Sequence, residues 1–160
     1  MDKLLSLIEE NAKLTDEQLA AMLCQSVEDV RERLRSYEKS GVIKGYKTLI
    51  DWEKVDNDII TAFIEVKVSP QRDSGFEQVA QRIMQFEEVD SVYLMSGGFD
   101  LAVTVSGKSF KEVAMFVAER LSPLDNVLST ATHFLLRKYK DKGVLFGSEM
   151  PDERGKLSLC

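Results

Sequence analysis

"SVEDVRERLRSYEKSGVIKGYKTLID", Ser26 to Asp51, changes its hydrophobic period halfway along. Up to Gly41 the apolar residues Val27, Val30, Leu34 and Tyr37 recur at helical spacing, on one face. Ser26 is a natural N-cap with Asp29 three residues on, and Gly41 is a natural stop. Beyond Gly41, "VIKGYKTLID" reads as a short two-stranded ribbon turning near Gly45. A helix followed at once by a ribbon is an unusual pairing, and its meaning depends on what precedes it.

Two more helices precede it. Leu4, Leu5 and Ile8 make a short apolar face. "KLTDEQLAAML" then supplies a second start: Thr15 as N-cap, Gln18 at the capping-box position, and Asp16 and Glu17 suited to the positive helix end. About three residues separate this helix from the next. Three helices in quick succession and then a ribbon is the order of a winged helix-turn-helix, whose second motif helix enters the DNA major groove.

Charge agrees locally, though not globally. The 160-residue chain has a net charge of −6. Residues 1–30 hold two bases and seven acids, whereas residues 31–47 hold six bases and two acids. A net sum governs solubility; a local patch governs what binds there. With Val30, Leu34 and Tyr37 inward, about 100° per residue places Glu28, Arg31, Glu32 and Arg35 on the outer arc. Arginine there suits a phosphate or a guanine edge. The same spacing also describes a solvated face, Glu28–Arg31 and Glu32–Arg35 being i,i+3 pairs. Lys44 and Lys47 on the ribbon would add phosphate contacts.

Downstream the pattern changes. "DWEKVDND" is polar and reads as a linker in which Trp52 packs. In "IITAFIEVKVS", Ile60, Ala62, Ile64, Val66 and Val68 alternate with Thr61, Phe63, Glu65 and Lys67, which fall on the opposite face. "GFEQVAQRIMQF" carries Phe76, Val79, Ala80 and Ile83 at helical spacing. "VDSVYLMS" and "DLAVTVS" are strands joined by a Gly-Gly turn. "SFKEVAMFVAERL" aligns Phe110, Val113, Ala114, Val117 and Leu121, and "NVLSTATHFLL" is a last strand. The order β-α-β-β-α-β is the ferredoxin-like split motif. The expected class is therefore α+β: a winged helix-turn-helix over residues 1–50, a linker over 51–57, a ferredoxin-like domain over 58–140, and a partly mobile tail over 141–160 with a short strand at "GVLF".

The turn "SGGFDL" carries the second candidate site. Glycine pairs between strands are commonly only hairpin turns that need positive φ, and Asp100 could bond the turn's own backbone. Glycine also bares backbone N–H groups that bind a carboxylate, and a nearby aspartate holds an ammonium. Carboxylate plus ammonium is the head of an α-amino acid.

Taken together, "NAKLTDEQLA", "SVEDVRERLRSYEKSGVIKGYKTLID" and "SGGFDLAVTVSG" resemble the Lrp/AsnC, or feast/famine, family of prokaryotic transcription regulators, over about residues 2–140. The resemblance implies a regulator that binds double-stranded DNA through Ser26, Val27, Glu28, Arg31, Arg35, Lys44 and Lys47. It further implies an amino-acid-type effector held between subunits by Gly97, Gly98, Phe99 and Asp100 with the hydroxyls of Thr130 and Thr132, Ser129 being a further candidate. Homodimers that assemble to octamers are implied as well. Phe99 stands where a tyrosine is common, and the acids Glu28, Asp29 and Glu32 depart from a strong DNA reader.

Several classes are not expected. No apolar run approaches the ~18 residues of a membrane span. "MDKLLSLIEENA" has acids inside its apolar pattern and lacks a cleavage site, so no secretory signal is read there and a cytoplasmic location is expected. Cys24 and Cys160 are too few for a disulfide or zinc framework, and Cys24 is expected as a small buried residue. No metal, cofactor or catalytic residue is expected. The single histidine, His133, reads as packed or satisfied. The alternative is a small-molecule-binding oligomer, or an enzyme like the siroheme decarboxylases, which resemble this two-domain build, with a structural winged domain.

Overall fold

The computed structural model describes residues 2–55, 59–69 and 75–146. The chain divides into two compact units, Met1–Ile50 and Asp51–Cys160.

The first unit is three helices: α1 (Lys3–Glu10), α2 (Asp16–Leu23) and α3 (Val27–Lys39). Each start is fixed by a side chain that satisfies otherwise orphaned N–H groups. Asp2 accepts from Leu4 N at 2.8 Å. Thr15 and Gln18 form a reciprocal capping box, with bonds of 2.9 and 3.3 Å. Ser26 Oγ accepts from Asp29 N at 3.1 Å. The ends are equally local. α3 stops where Gly41 takes φ +72°, a conformation cheap only for glycine. α2 ends on Cys24 at φ +53°, an uncommon place for a residue with a Cβ. That backbone carries the Cys24 side chain outward, so it is exposed rather than buried. Leu4, Leu19, Ala20 and Val30 form the small core, with Leu34, Tyr37 and Val27 packed against it.

The ribbon expected after Gly41 is not formed: residues 42–51 contain no strand. Only Val42, Ile43 and Lys44 lie between the helix stop and Gly45, and a ribbon that short gains too little cross-strand contact to hold by itself. The segment is instead tied back to α3. Ile43 N donates to Tyr37 O at 3.1 Å, and the Tyr46 hydroxyl donates to Glu38 Oε1 at 2.9 Å. Trp52, expected to pack, begins a short 3₁₀ turn and is 44% exposed.

The second unit contains β1 (Ile60–Val68), α4 (Gly75–Ile83), β2 (Val89–Leu94), β3 (Leu101–Gly107), α5 (Phe110–Phe116), β4 (Val127–Phe134), β5 (Lys140–Asp141) and β6 (Val144–Leu145). The first four strands form an antiparallel sheet in the order β2-β3-β1-β4, the arrangement that the β-α-β-β-α-β reading requires. Period two decides its faces. Ala62, Ile64, Val66 and Val68 are buried against the helices with Val79, Ile83, Val103, Val113 and Leu121. The alternate residues Thr61, Phe63, Glu65 and Lys67 lie on the other face. The α5 face differs from the sequence reading. Phe116 is buried in place of Phe110 and Ala114, because a π turn over Val117–Leu121 inserts extra arc before Leu121. The expected strand at "GVLF" is β6, paired with β5. The end of the expected tail, from residue 147, and linker residues 56–57 lie outside the described residues. Among the described residues no helix is long and apolar enough to cross a membrane.

Candidate functional site

On α3 the outer-arc residues have unequal partners. Arg31 Nε is bonded to Asp16 Oδ2 at 3.0 Å, and its Nη1 meets Glu28 Oε2 at 3.2 Å. The Asp16 hydrogen bond, more than its charge, raises the Arg31 pKa above the ordinary guanidinium value. Asp16 is at the start of α2, so Arg31 ties the two helices of the motif together. Glu28–Arg31 is thus an ion pair, as a solvated face would have it. Arg35 is exposed and has neither an ion pair nor a hydrogen bond among the described residues. Val27 packs against the core, which leaves its backbone, not its side chain, for contact. Ser26 is occupied as the cap. Lys44 and Lys47 are exposed on the segment after Gly41.

A second cluster had no sequence reading. Asp2 accepts from Arg33 Nη2 at 2.7 Å and from the Tyr37 hydroxyl at 2.6 Å, and Arg33 Nη1 reaches Gln25 Oε1 at 2.9 Å. The Tyr37 hydroxyl first, then the Leu4 and Leu5 amides and Arg33, lower the Asp2 pKa from 3.8 to about 2. This network fastens the start of α1 to the middle of α3. Asp2 immediately before "KLLSLI" is an N-cap signature that could have revealed half of it.

At the β2–β3 turn, the positive φ expected of a glycine hairpin is absent. Among the described residues, glycines with positive φ are Gly41 and Gly143 only. A Cβ built on Gly97 or Gly98 meets nothing within 4 Å. Within one chain, therefore, neither backbone geometry nor crowding demands glycine there, and two exposed amides are left bare. Asp100 has a structural task. Its Oδ2 accepts from Val68 N at 2.8 Å, while its own N–H donates to Val66 O at 3.0 Å. It closes the end of the β1–β3 ladder with a carboxylate in place of a main-chain carbonyl.

The other effector candidates do not converge within one chain. The Phe99 ring meets Phe63 edge-on at 6.0 Å, on the open face of the sheet. Thr130 and Thr132 pair with Val66 and Ile64, and so share their helix-covered face. The Thr130 hydroxyl lies 3.0 Å from that of Ser122. Ser129 pairs with Lys67, on the open face.

That open face has an organised centre. His133 Nε2 is 3.2 Å from Glu65 Oε1, and the His133 ring lies 6.2 Å from Phe63. His133 is thus satisfied but 57% exposed at its side chain, not packed in the core. Tyr93, paired with Ala102, is exposed on the same face. Among the described residues, no group of three His, Cys, Asp or Glu side chains is placed to hold a metal ion.

A three-helix unit with a tight turn between its last two helices, joined to a split β-α-β-β-α-β sheet, is the build of a ligand-responsive regulator. Residues 61–145 match the model of the Lrp/AsnC ligand-binding domain. The chain belongs to the Lrp/AsnC family. It is similar to the uncharacterized HTH-type transcriptional regulator YugG of Bacillus subtilis, 46% identical over 153 residues that cover 95% of this chain and 92% of that one. Among solved structures it is similar to a transcriptional regulator of Neisseria meningitidis in complex with L-Met, at 25% identity and a TM-score of 0.70, covering 88% of this chain and 93% of the other. It is likewise similar to a feast or famine regulatory protein of M. tuberculosis complexed with L-methionine, at 25% identity and a TM-score of 0.71, covering 86% and 90%. These relatives are transcription regulators.

Proposed function

We propose that the chain is a sequence-specific DNA-binding transcription regulator whose assembly and DNA affinity respond to a small amino-acid-type effector. The observation that carries the first half is α3: an exposed helix at the end of a helix-turn-helix, with Arg35 unpaired and Arg31 held in place by Asp16. Arg35 is the base-reading candidate, and Arg31 is a positioning residue that can still offer its outer N–H groups to phosphate. Lys44 and Lys47 supply the contacts of a wing, on a segment that can pair into a ribbon against DNA or a second subunit.

The second half rests on the two glycines that one chain does not need. Bare amides at 97 and 98 suit an α-carboxylate, and the second oxygen of Asp100 suits an α-ammonium. Phe99 and the Thr130 and Thr132 hydroxyls lie on opposite faces, so the complete pocket takes residues from more than one subunit. The L-Met complexes of two relatives support an amino acid, and a Phe99 wall without a hydroxyl favours an apolar or sulfur-bearing side chain. The open sheet face around Phe63 is the dimer contact, and dimers assemble further toward an octamer. An effector that binds two assemblies unequally shifts their populations and the spacing of the paired α3 helices. Such a regulator acts in the cytoplasm, where the chromosome is.

The test is a mobility shift on the promoter beside the protein's own gene. Arg35→Ala should weaken specific binding by about 1–3 kcal/mol, roughly 5- to 150-fold. An unchanged affinity and footprint would show that α3 is not the reader.

A further inference from the structure

We propose that the C-terminal hairpin, residues 137–146, is a second DNA contact that grips the phosphate backbone independently of sequence. The proposal rests on the DNA-regulator reading above and adds to it a surface on the other unit.

The first observation is charge. "RKYKDK", Arg137 to Lys142, holds four bases and one acid in a chain whose net charge is −6. Only one of the four is neutralised: Lys138 Nζ is 2.9 Å from Asp141 Oδ2, and also 5.0 Å from the Phe146 ring centroid. Arg137, Lys140 and Lys142 have no acidic partner among the described residues. Arg137 lies over Tyr139, its guanidinium 5.3 Å from the ring centroid, and Tyr139 is 71% exposed. Basic residues interleaved with exposed aromatics suit a sugar-phosphate surface.

The second observation is the turn. Asp141 pairs with Val144, so Lys142 and Gly143 are the two central residues of the hairpin. Their φ values are +46° and +85°, the pattern of a type I′ turn. That turn favours asparagine or aspartate before glycine, and lysine in a left-handed conformation costs stability. An unfavourable residue at a tip is informative when its chemistry points outward. Here it carries a cation to the most projecting point of the hairpin. The Phe146 amide donates to Tyr139 O at 2.9 Å and holds the base of the hairpin closed.

Phosphate contacts release counterions, so each adds about −0.9 to the slope of log affinity against log salt. Three contacts would make the parent lose roughly 40-fold more affinity between 50 and 200 mM salt than a variant lacking them. The experiment is fluorescence anisotropy on the full chain carrying Arg137→Gln, Lys140→Gln and Lys142→Asn together. Two duplexes of equal length serve as probes, the promoter beside the gene and a random sequence. Asparagine accepts the left-handed conformation at the first central position of the turn, so the variant should fold at least as well as the parent. The expected result is weaker binding to both duplexes by one common factor, a salt slope smaller by about 2–3 per engaged chain, and an unchanged footprint. An unchanged slope with either duplex overturns the inference while leaving α3 as the reader. A change in mass by light scattering also overturns it, since the exposed Leu136 and Leu145 would then mark a subunit contact. If the parent binds neither duplex, the regulator reading itself fails and this inference goes with it.

Discussion

Replacing Asp100 by alanine removes the acceptor of the Val68 amide and leaves that N–H without a partner. Val68 is 3% exposed, so water does not readily take the carboxylate's place. A buried donor left unsatisfied costs about 1–3 kcal/mol, and a bond to a charged acceptor belongs at the upper end of that range. For a domain of about this size each kcal/mol corresponds to roughly 4 °C, so Asp100→Ala should lower the melting temperature of the second unit by about 4–12 °C. Alanine therefore cannot separate bracing from ligand binding, because it removes both. Asparagine can. Its side-chain oxygen can still accept from Val68 N, but it carries no charge for an ammonium. Asp100→Asn should melt within about 1 kcal/mol of the parent and lose its thermal shift with amino acids. The assay is a thermal-shift screen of the twenty amino acids on the parent and both variants. A parent-like melt for Asp100→Ala would refute the bracing argument. A retained ligand shift in Asp100→Asn would refute the ammonium contact, and no shift with any amino acid on the parent would leave the turn as a turn.

Two further outcomes follow from contacts already described. The Asp2 carboxylate, with a folded pKa of about 2 against an ordinary 3.8, stabilises the fold fully above pH 3.8, and that contribution is lost as pH falls toward 2. The difference in melting temperature between the parent and Asp2→Asn, followed by circular dichroism, should therefore be largest at neutral pH and shrink between about pH 4 and 2; a difference that stays constant would refute the linkage. On the open sheet face, Phe63→Arg places a charge between Phe99 and His133 and should raise the dimer dissociation constant more than about 30-fold by sedimentation. A variant that dimerises like the parent would move the subunit contact elsewhere.

The sequence was most legible where the determinants are local. Thr15 with Gln18, Ser26 with Asp29, and Gly41 are all short-range signals, and α2 and α3 lie where those residues place them. Alternation in "IITAFIEVKV" sorted both faces of β1, because a period of two leaves little freedom once one face is buried. It failed where the outcome depends on a partner distant in the chain. The Asp2–Arg33–Tyr37 network joins residues 31 and 35 positions apart. The Asp100–Val68 bond spans 32 positions. No spacing rule reaches that far. The α5 face was missed for another reason: a single π turn breaks the 3.6 period on which the reading depended. The ribbon failed because apolar residues and a central glycine permit a hairpin without supplying the contacts that hold one.

The candidate effector site shows how an unmet requirement can be evidence. A turn that needs glycine for its own φ explains its glycines completely, and no ligand has to be invoked. Gly143 is such a case at φ +85°. Gly97 and Gly98 are not, since neither has a positive φ and their surroundings are open. Glycine in an ordinary conformation sacrifices chain entropy without local return, by roughly 0.5–1 kcal/mol against alanine. If nothing outside the chain used that bare backbone, Gly97→Ala and Gly98→Ala would stabilise the protein by about that amount and change nothing else. The pocket reading requires the opposite pairing: equal or higher thermal stability of the variants without ligand, together with a weakened amino-acid shift, because a methyl group would stand where the carboxylate approaches. Stability and response should thus move in opposite directions at these two positions, whereas at Asp100 alanine lowers both. That contrast separates a residue that builds the turn from residues that keep it open.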